Sequence, residues 1–150
     1  MISVKSAFTA IAAMLLALLS VPAFAQNKVP GERPLEALVK SSLLTFNDAN
    51  LTGNYAVLHA KLSKPFRDQF PPERLKAAFK EFADKQIDID IVSAFKPTYE
   101  PAARVDGDGK LIVKGWFPTE PVRVLFDLEY IPSDGEWKLL SIHVKTADPK

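Results

Sequence analysis

Residues Val122 to Lys145 read VRVLFDLEYIPSDGEWKLLSIHVK. Apolar side chains recur at every second position on both sides of Ser133-Asp134-Gly135, which is the pattern of a β-hairpin. Its register follows from keeping one apolar face unbroken, because a slip of one residue turns every side chain over. A two-residue Asp134-Gly135 turn sets Phe126 against His143 and Asp127 against Ile142, mixing the faces. A three-residue Ser133-Asp134-Gly135 loop sets Val124 against Val144, Phe126 against Ile142 and Leu128 against Leu140, and is preferred.

The same test carries N-terminally. A three-residue Gly107-Asp108-Gly109 loop pairs Val105 with Leu111. A four-residue loop from Pro118 to Pro121 pairs Phe117 with Val122 and Leu111 with Leu128. The expected meander is Thr98–Asp106, Lys110–Phe117, Val122–Ile131 and Glu136–Lys145. One face is apolar and includes Tyr99, Val105, Val113, Gly115, Phe117, Val124, Phe126, Leu140 and Ile142. The other is mixed: Trp116, Arg123, Leu125, Ile131, Trp137, Leu139 and His143 lie among Lys110, Lys114, Asp127 and Glu129. Arg123 is expected opposite Trp116, and Lys110 opposite Glu129. So many apolar groups on an open face point to a partner surface, a merely amphipathic sheet being the alternative.

Upstream the period lengthens to that of helices. Leu35, Leu38, Ser42, Leu43 and Phe46 predict a first helix ending near Asn47, and Gly53-Asn54 punctuates the chain. Tyr55, Leu58, His59 and Leu62 predict a short second helix, and Ser63 caps one more turn through Phe66. Pro72, Glu73, Leu75, Ala78, Phe79 and Phe82 predict a third helix to about Lys85. Ile87, Ile89 and Ile91 alternate with Asp88 and Asp90 and predict an extended segment. The fold class is α+β, with three N-terminal helices packed on a curved antiparallel β-meander.

The N-terminus reads as an export signal: Lys5, an apolar run from Ala7 to Leu19, then Ala23-Phe24-Ala25 as a cleavage site after Ala25. The run falls short of the ~20 apolar residues a membrane span needs. A retained anchor is the alternative, which the cleavage motif disfavours. Residues 26–33 (QNKVPGER) form a flexible lead-in, and residues 34–150 form one domain. Periplasmic or secreted residence follows, with no membrane anchor once the leader is gone. The chain has no cysteine, so disulfides, thiolate metal sites and a cysteine nucleophile are excluded. Without Lys5 the chain carries 18 basic and 18 acidic residues, a balance that offers nucleic acid no long-range attraction.

Phe46-Asn47 followed by Gly53-Asn54-Tyr55, then Ser63 to Phe70 (SKPFRDQF), then Gly135-Glu136-Trp137-Lys138-Leu139 running to Val144, resemble the nuclear transport factor 2-like superfamily. The resemblance spans Leu35 to Val144 and is closest to small secreted members of uncharacterised function. It implies a cone-shaped α+β fold, often paired through the open face of the sheet. The superfamily hosts isomerases, dehydratases, transport adaptors and ligand-binding modules, so fold does not decide activity.

No carboxylate is expected inside the cone. The polar groups that reach it are Tyr55, His59, Tyr99 and Tyr130, which with Phe126 form the candidate ligand site. His59 with Tyr55 or Tyr99 is the best acid–base pair, but a third, orienting group is lacking, and a hydrogen-bonded structural histidine is the simpler reading. Asp127, Ser141 and His143 lie on the open face, Ser141 opposite Asp127 and His143 diagonal to it, too far apart for a catalytic triad. Asp106-Gly107-Asp108-Gly109 begins like a calcium loop, but Phe117 stands where the closing carboxylate belongs. No cofactor and no metal are expected. Two classes of function remain: an exported non-catalytic module that pairs with itself or another exported protein and holds a small apolar ligand, or an isomerase, dehydratase or hydrolase using the His/Tyr pair.

Overall fold

The computed structural model describes residues 28–149; the proposed leader and its cleavage site lie outside them. The described chain is α+β, with helices followed by an open antiparallel sheet of five strands.

Helix α1 spans Glu32–Thr52. Gly31 precedes it, Glu32 places negative charge at its positive end, and Pro34 sits in the first turn, where its missing N–H costs nothing. Gly53 ends it at φ 72°, donating its N–H to the Ala49 carbonyl, a left-handed cap that suits glycine. The helix runs past Asn47, whose buried side chain is fully partnered. Asn47 donates to Asp88 Oδ1 at 2.8 Å and accepts the Ile89 N–H at 2.9 Å. Leu35, Val39, Leu43, Phe46 and Ala49 form its core stripe.

Short helices follow: α2 (Ala56–Lys61), α3 (Lys64–Gln69), α4 (Pro72–Ala78) and α5 (Lys80–Asp84). The third helix predicted from the sequence is therefore two pieces, broken at Phe79. That break lets Phe79 and Phe82 both meet Phe46 edge-on, with ring centroids 4.8 and 5.1 Å away. The isoleucine alternation does not make an extended segment: Asp90–Ala94 is a 3-10 helix. Ile89 and Val92 are buried at a spacing of three, while Ile91 is exposed. A period of two over three isoleucines fits either backbone, and the Asn47 and Asp88 bonds select the tight turn.

The strands are β1 (Thr98–Tyr99), β2 (Arg104–Val105), β3 (Leu111–Phe117), β4 (Arg123–Ser133) and β5 (Glu136–Ala147). The sheet runs β1-β3-β4-β5, with β2 also on the β3 edge. Val105 pairs with Leu111, as the Gly107–Gly109 loop predicts. The first predicted strand, however, is broken. Tyr99 pairs with Gly115 and Arg104 with Ile112, so the chain between Tyr99 and Arg104 loops away from its partner. Between β3 and β4, Phe117 pairs with Val124 and Leu111 with Tyr130. This is a shift of two from the expected register, so every residue keeps its face. Leu125 rather than Arg123 therefore stands opposite Trp116, and Lys110 reaches Glu129 diagonally at 3.6 Å.

The largest correction concerns the last hairpin. The turn is the two-residue Asp134-Gly135, both at positive φ (52° and 79°), and Ser133 pairs with Glu136. The mixing of faces that argued against this turn is removed by a β-bulge. Tyr130 pairs with Leu139 but Glu129 pairs with Ser141, leaving Leu140 as the extra residue. Turnward of the bulge the phase of β5 inverts. Leu139 is 3 % exposed and belongs to the core, and Trp137 packs against it. Neither lies on the open face where alternation places them. Leu140, expected inside, is half-buried and is not packed on the core.

Candidate functional site

Three segments converge where the hairpin inverts. The Leu62–Ser63 junction binds the edge of β5 by a parallel bridge between Leu62 and Leu139, and the Ser63 N–H donates to the Leu139 carbonyl at 2.8 Å. This fixes α2 beside the hairpin. The α1 face carrying Leu38, Ser42 and Thr45 lies across from it, and Lys28–Gly31 closes a third side. Between them is a groove of about 980 Å³, at the upper end of ligand-site volumes.

Its walls are apolar at Val29, Pro30, Pro34, Leu38, Leu58, Trp137 and Leu139 and charged at Lys28, Glu136 and Lys138. Two polar devices interrupt them. At the base, Ser42 Oγ donates to the Leu38 carbonyl at 2.9 Å and lies 2.9 Å from Tyr130 Oη. A serine has one proton to give, so the tyrosine donates to the serine. Higher on the wall, Lys61 Nζ donates to Thr45 Oγ1 at 2.9 Å and approaches Ser41 Oγ at 3.5 Å.

Of the candidate ligand residues read from the sequence, Tyr130 alone lines this groove. Tyr55 is buried and donates to Asn50 Oδ1 at 2.6 Å. His59 Nε2 lies 3.3 Å from the Arg67 carbonyl, a tie between α2 and α3. Tyr99 meets Phe126 edge-on at 6.3 Å, and its hydroxyl is buried without a hydrogen-bond partner. His59, Tyr55 and Tyr99 thus do not meet as an acid–base set around the groove. The sequence reading missed Lys61 and Thr45 and placed Trp137 on the open face. The signal for Thr45 was present: Leu38, Ser42 and Thr45 recur at helical spacing, so hydroxyls interrupt an apolar stripe. Trp137 was hidden by the bulge.

On the opposite face Trp116, Leu125, Ile131 and Ile112 are half-buried. Asp127 pairs with Lys114 at 2.8 Å, so both acids of β4 point away from the helices. Asp127 stands directly opposite His143, and Ser141 opposite Glu129, on an exposed surface. Arg123 donates from Nε to the Asp148 carbonyl at 3.3 Å. Asp106 spends its carboxylate on its own loop, accepting the N–H groups of Asp108 and Lys110 at 2.9 Å. These bonds, the Lys110 amide first, hold its pKa below the usual range. Among the described residues, no group of three or more His, Asp or Glu side chains is placed to hold a metal, and no helix is long and apolar enough to cross a membrane.

All three tyrosines have raised pKa values. Burial raises Tyr55 and Tyr130, the Ser42 bond partly opposing it for Tyr130. Burial, with the charges of Glu36 and Glu32, pushes Tyr99 up to about 12. Each folded value lies above the unfolded value of 10.0. Their contribution to stability is therefore complete below pH 10 and is lost as pH rises through the folded values. At a pH of about 11, native protein is expected to show less tyrosinate absorbance than chain unfolded in guanidinium, which is mostly ionised. A native midpoint near pH 10 would contradict this burial.

Comparison with known proteins found no matching family model, no matching curated protein and no matching solved structure.

Proposed function

We propose that this chain is an exported, non-catalytic binding module that holds a small, mainly apolar molecule in the groove between α1 and the β4–β5 hairpin. One observation carries the reading: a groove of ligand size in which apolar stretches adjoin polar groups that converge from different elements. The curved-cone architecture of the nuclear transport factor 2-like superfamily is part of the same proposal, since helices followed by an open antiparallel sheet agree with it. An acid–base enzyme working through His59 has less support, because its imidazole is tied to a backbone carbonyl and does not line the groove.

Pairing with a second copy or another exported protein belongs to the same reading. It is favoured by the half-buried row Ile112, Trp116, Leu125 and Ile131 on the outer face, whose flanking ion pairs are partly exposed and weak. Trp137 and Leu139 are not part of that surface. Native mass spectrometry of protein expressed from the full-length chain and purified from its own host tests all three elements. The expected species begins at Gln26, retains a small-molecule adduct, and is a dimer. A bare monomer carrying its leader residues would count against each element separately.

A further inference from the structure

We infer that the molecule held in the groove is an amphipathic carboxylate, its carboxylate received by Lys61 and its aliphatic or aromatic body laid along Leu38 and Trp137. This rests on the binding role proposed above and adds the chemical class of the ligand. Lys61 is positioned rather than waving: Nζ is 2.9 Å from Thr45 Oγ1 and 3.5 Å from Ser41 Oγ, both hydroxyls on α1 and both on the groove wall. An ammonium has three protons, and these two contacts leave one to offer. Thr45, accepting from Lys61, keeps its own O–H to donate. One ammonium proton and one hydroxyl proton side by side match the two oxygens of a carboxylate.

The charge balance points the same way. Among the described residues, neither Lys61 nor Lys28 pairs with a carboxylate, whereas the third lysine of the groove, Lys138, has Asp134 at 3.4 Å. Glu136 is the one acid on the lining. The surplus is small and positive, and it lies beside an apolar wall. A free inorganic anion would leave that wall wet, and a neutral hydrocarbon would make no use of the Lys61 ammonium. A molecule with both parts satisfies both.

Calorimetric titration of octanoate and 1-octanol into protein expressed from the full-length chain separates the possibilities, since the two share an alkyl body. The wild type is expected to bind octanoate roughly 10- to 100-fold more tightly than octanol, the ratio typical of one charge-assisted contact. Lys61→Met is expected to lose that preference while still binding octanol, and Lys61→Arg to keep much of it. Thermal melts of both variants check that they fold. Equal affinity for the two probes in wild type overturns the carboxylate assignment but leaves the groove as a binding site. An octanoate preference that survives in Lys61→Met overturns the role of Lys61. If neither probe binds, the groove reading itself fails, and this inference goes with it.

Discussion

Truncation of Phe46 to alanine is expected to lower the free energy of unfolding by about 3–5 kcal/mol. The ring is 1 % exposed and sits at the centre of the helical layer, edge-on to Phe79 and Phe82. Removing it forfeits the burial of one aromatic and leaves two others facing a void. The void cannot collapse easily, because α1 is pinned beside it by the Asn47 bonds to Asp88 and Ile89. A domain of this size has about 5–15 kcal/mol in total, so the variant should lose a large share of its stability. Guanidinium denaturation followed by far-ultraviolet circular dichroism measures the loss. A loss under about 1 kcal/mol would mean that the Phe46 cluster is not the core described here.

Gly115→Ala is the second large effect. A Cβ at this position would lie 1.9 Å from the Thr98 carbonyl oxygen, and 3.1 Å from the Phe126 ring. The ring can turn aside, but the backbone of β1 cannot yield without leaving β3. The expected cost is about 2–3 kcal/mol, high in the range for overpacking, and it should be local. The Glu100 N–H, which donates to the Lys114 carbonyl at 3.0 Å, should exchange with solvent far faster, while the amides of β4 and β5 keep their protection. Uniformly faster exchange across the sheet would indicate a global loss instead.

These two sites show how much the sequence discloses. Phe46 was legible as a core position from helical spacing alone, and so were the Val105–Leu111 pairing and the outward direction of Asp127 and Glu129. The pairing depends on a short loop, and the other two on periodicity within one unbroken element. Gly115 was placed on the inner face, but the reason for a glycine there was not visible: it depends on where Thr98 crosses, and so on the looping-out between Tyr99 and Arg104. The last hairpin failed for the same kind of reason. Continuity of an apolar face is a sound rule for a regular strand, but one unpaired residue reverses it, and nothing local to Leu140 announces the bulge. That single residue moved Trp137 and Leu139 from the proposed partner surface to the groove. The groove was therefore illegible as a unit, although the interrupted α1 stripe was in plain view.

The short stretch Lys28–Gly31 has a practical bearing on anyone who prepares this protein. It forms one side of the groove, so an affinity handle or fluorophore fused just ahead of it would hang over the mouth and compete with whatever enters. The other terminus is the safer place. Ala147 pairs with Arg123, at the end of β5 remote from the Asp134-Gly135 turn, and a fusion there leaves the entrance unobstructed.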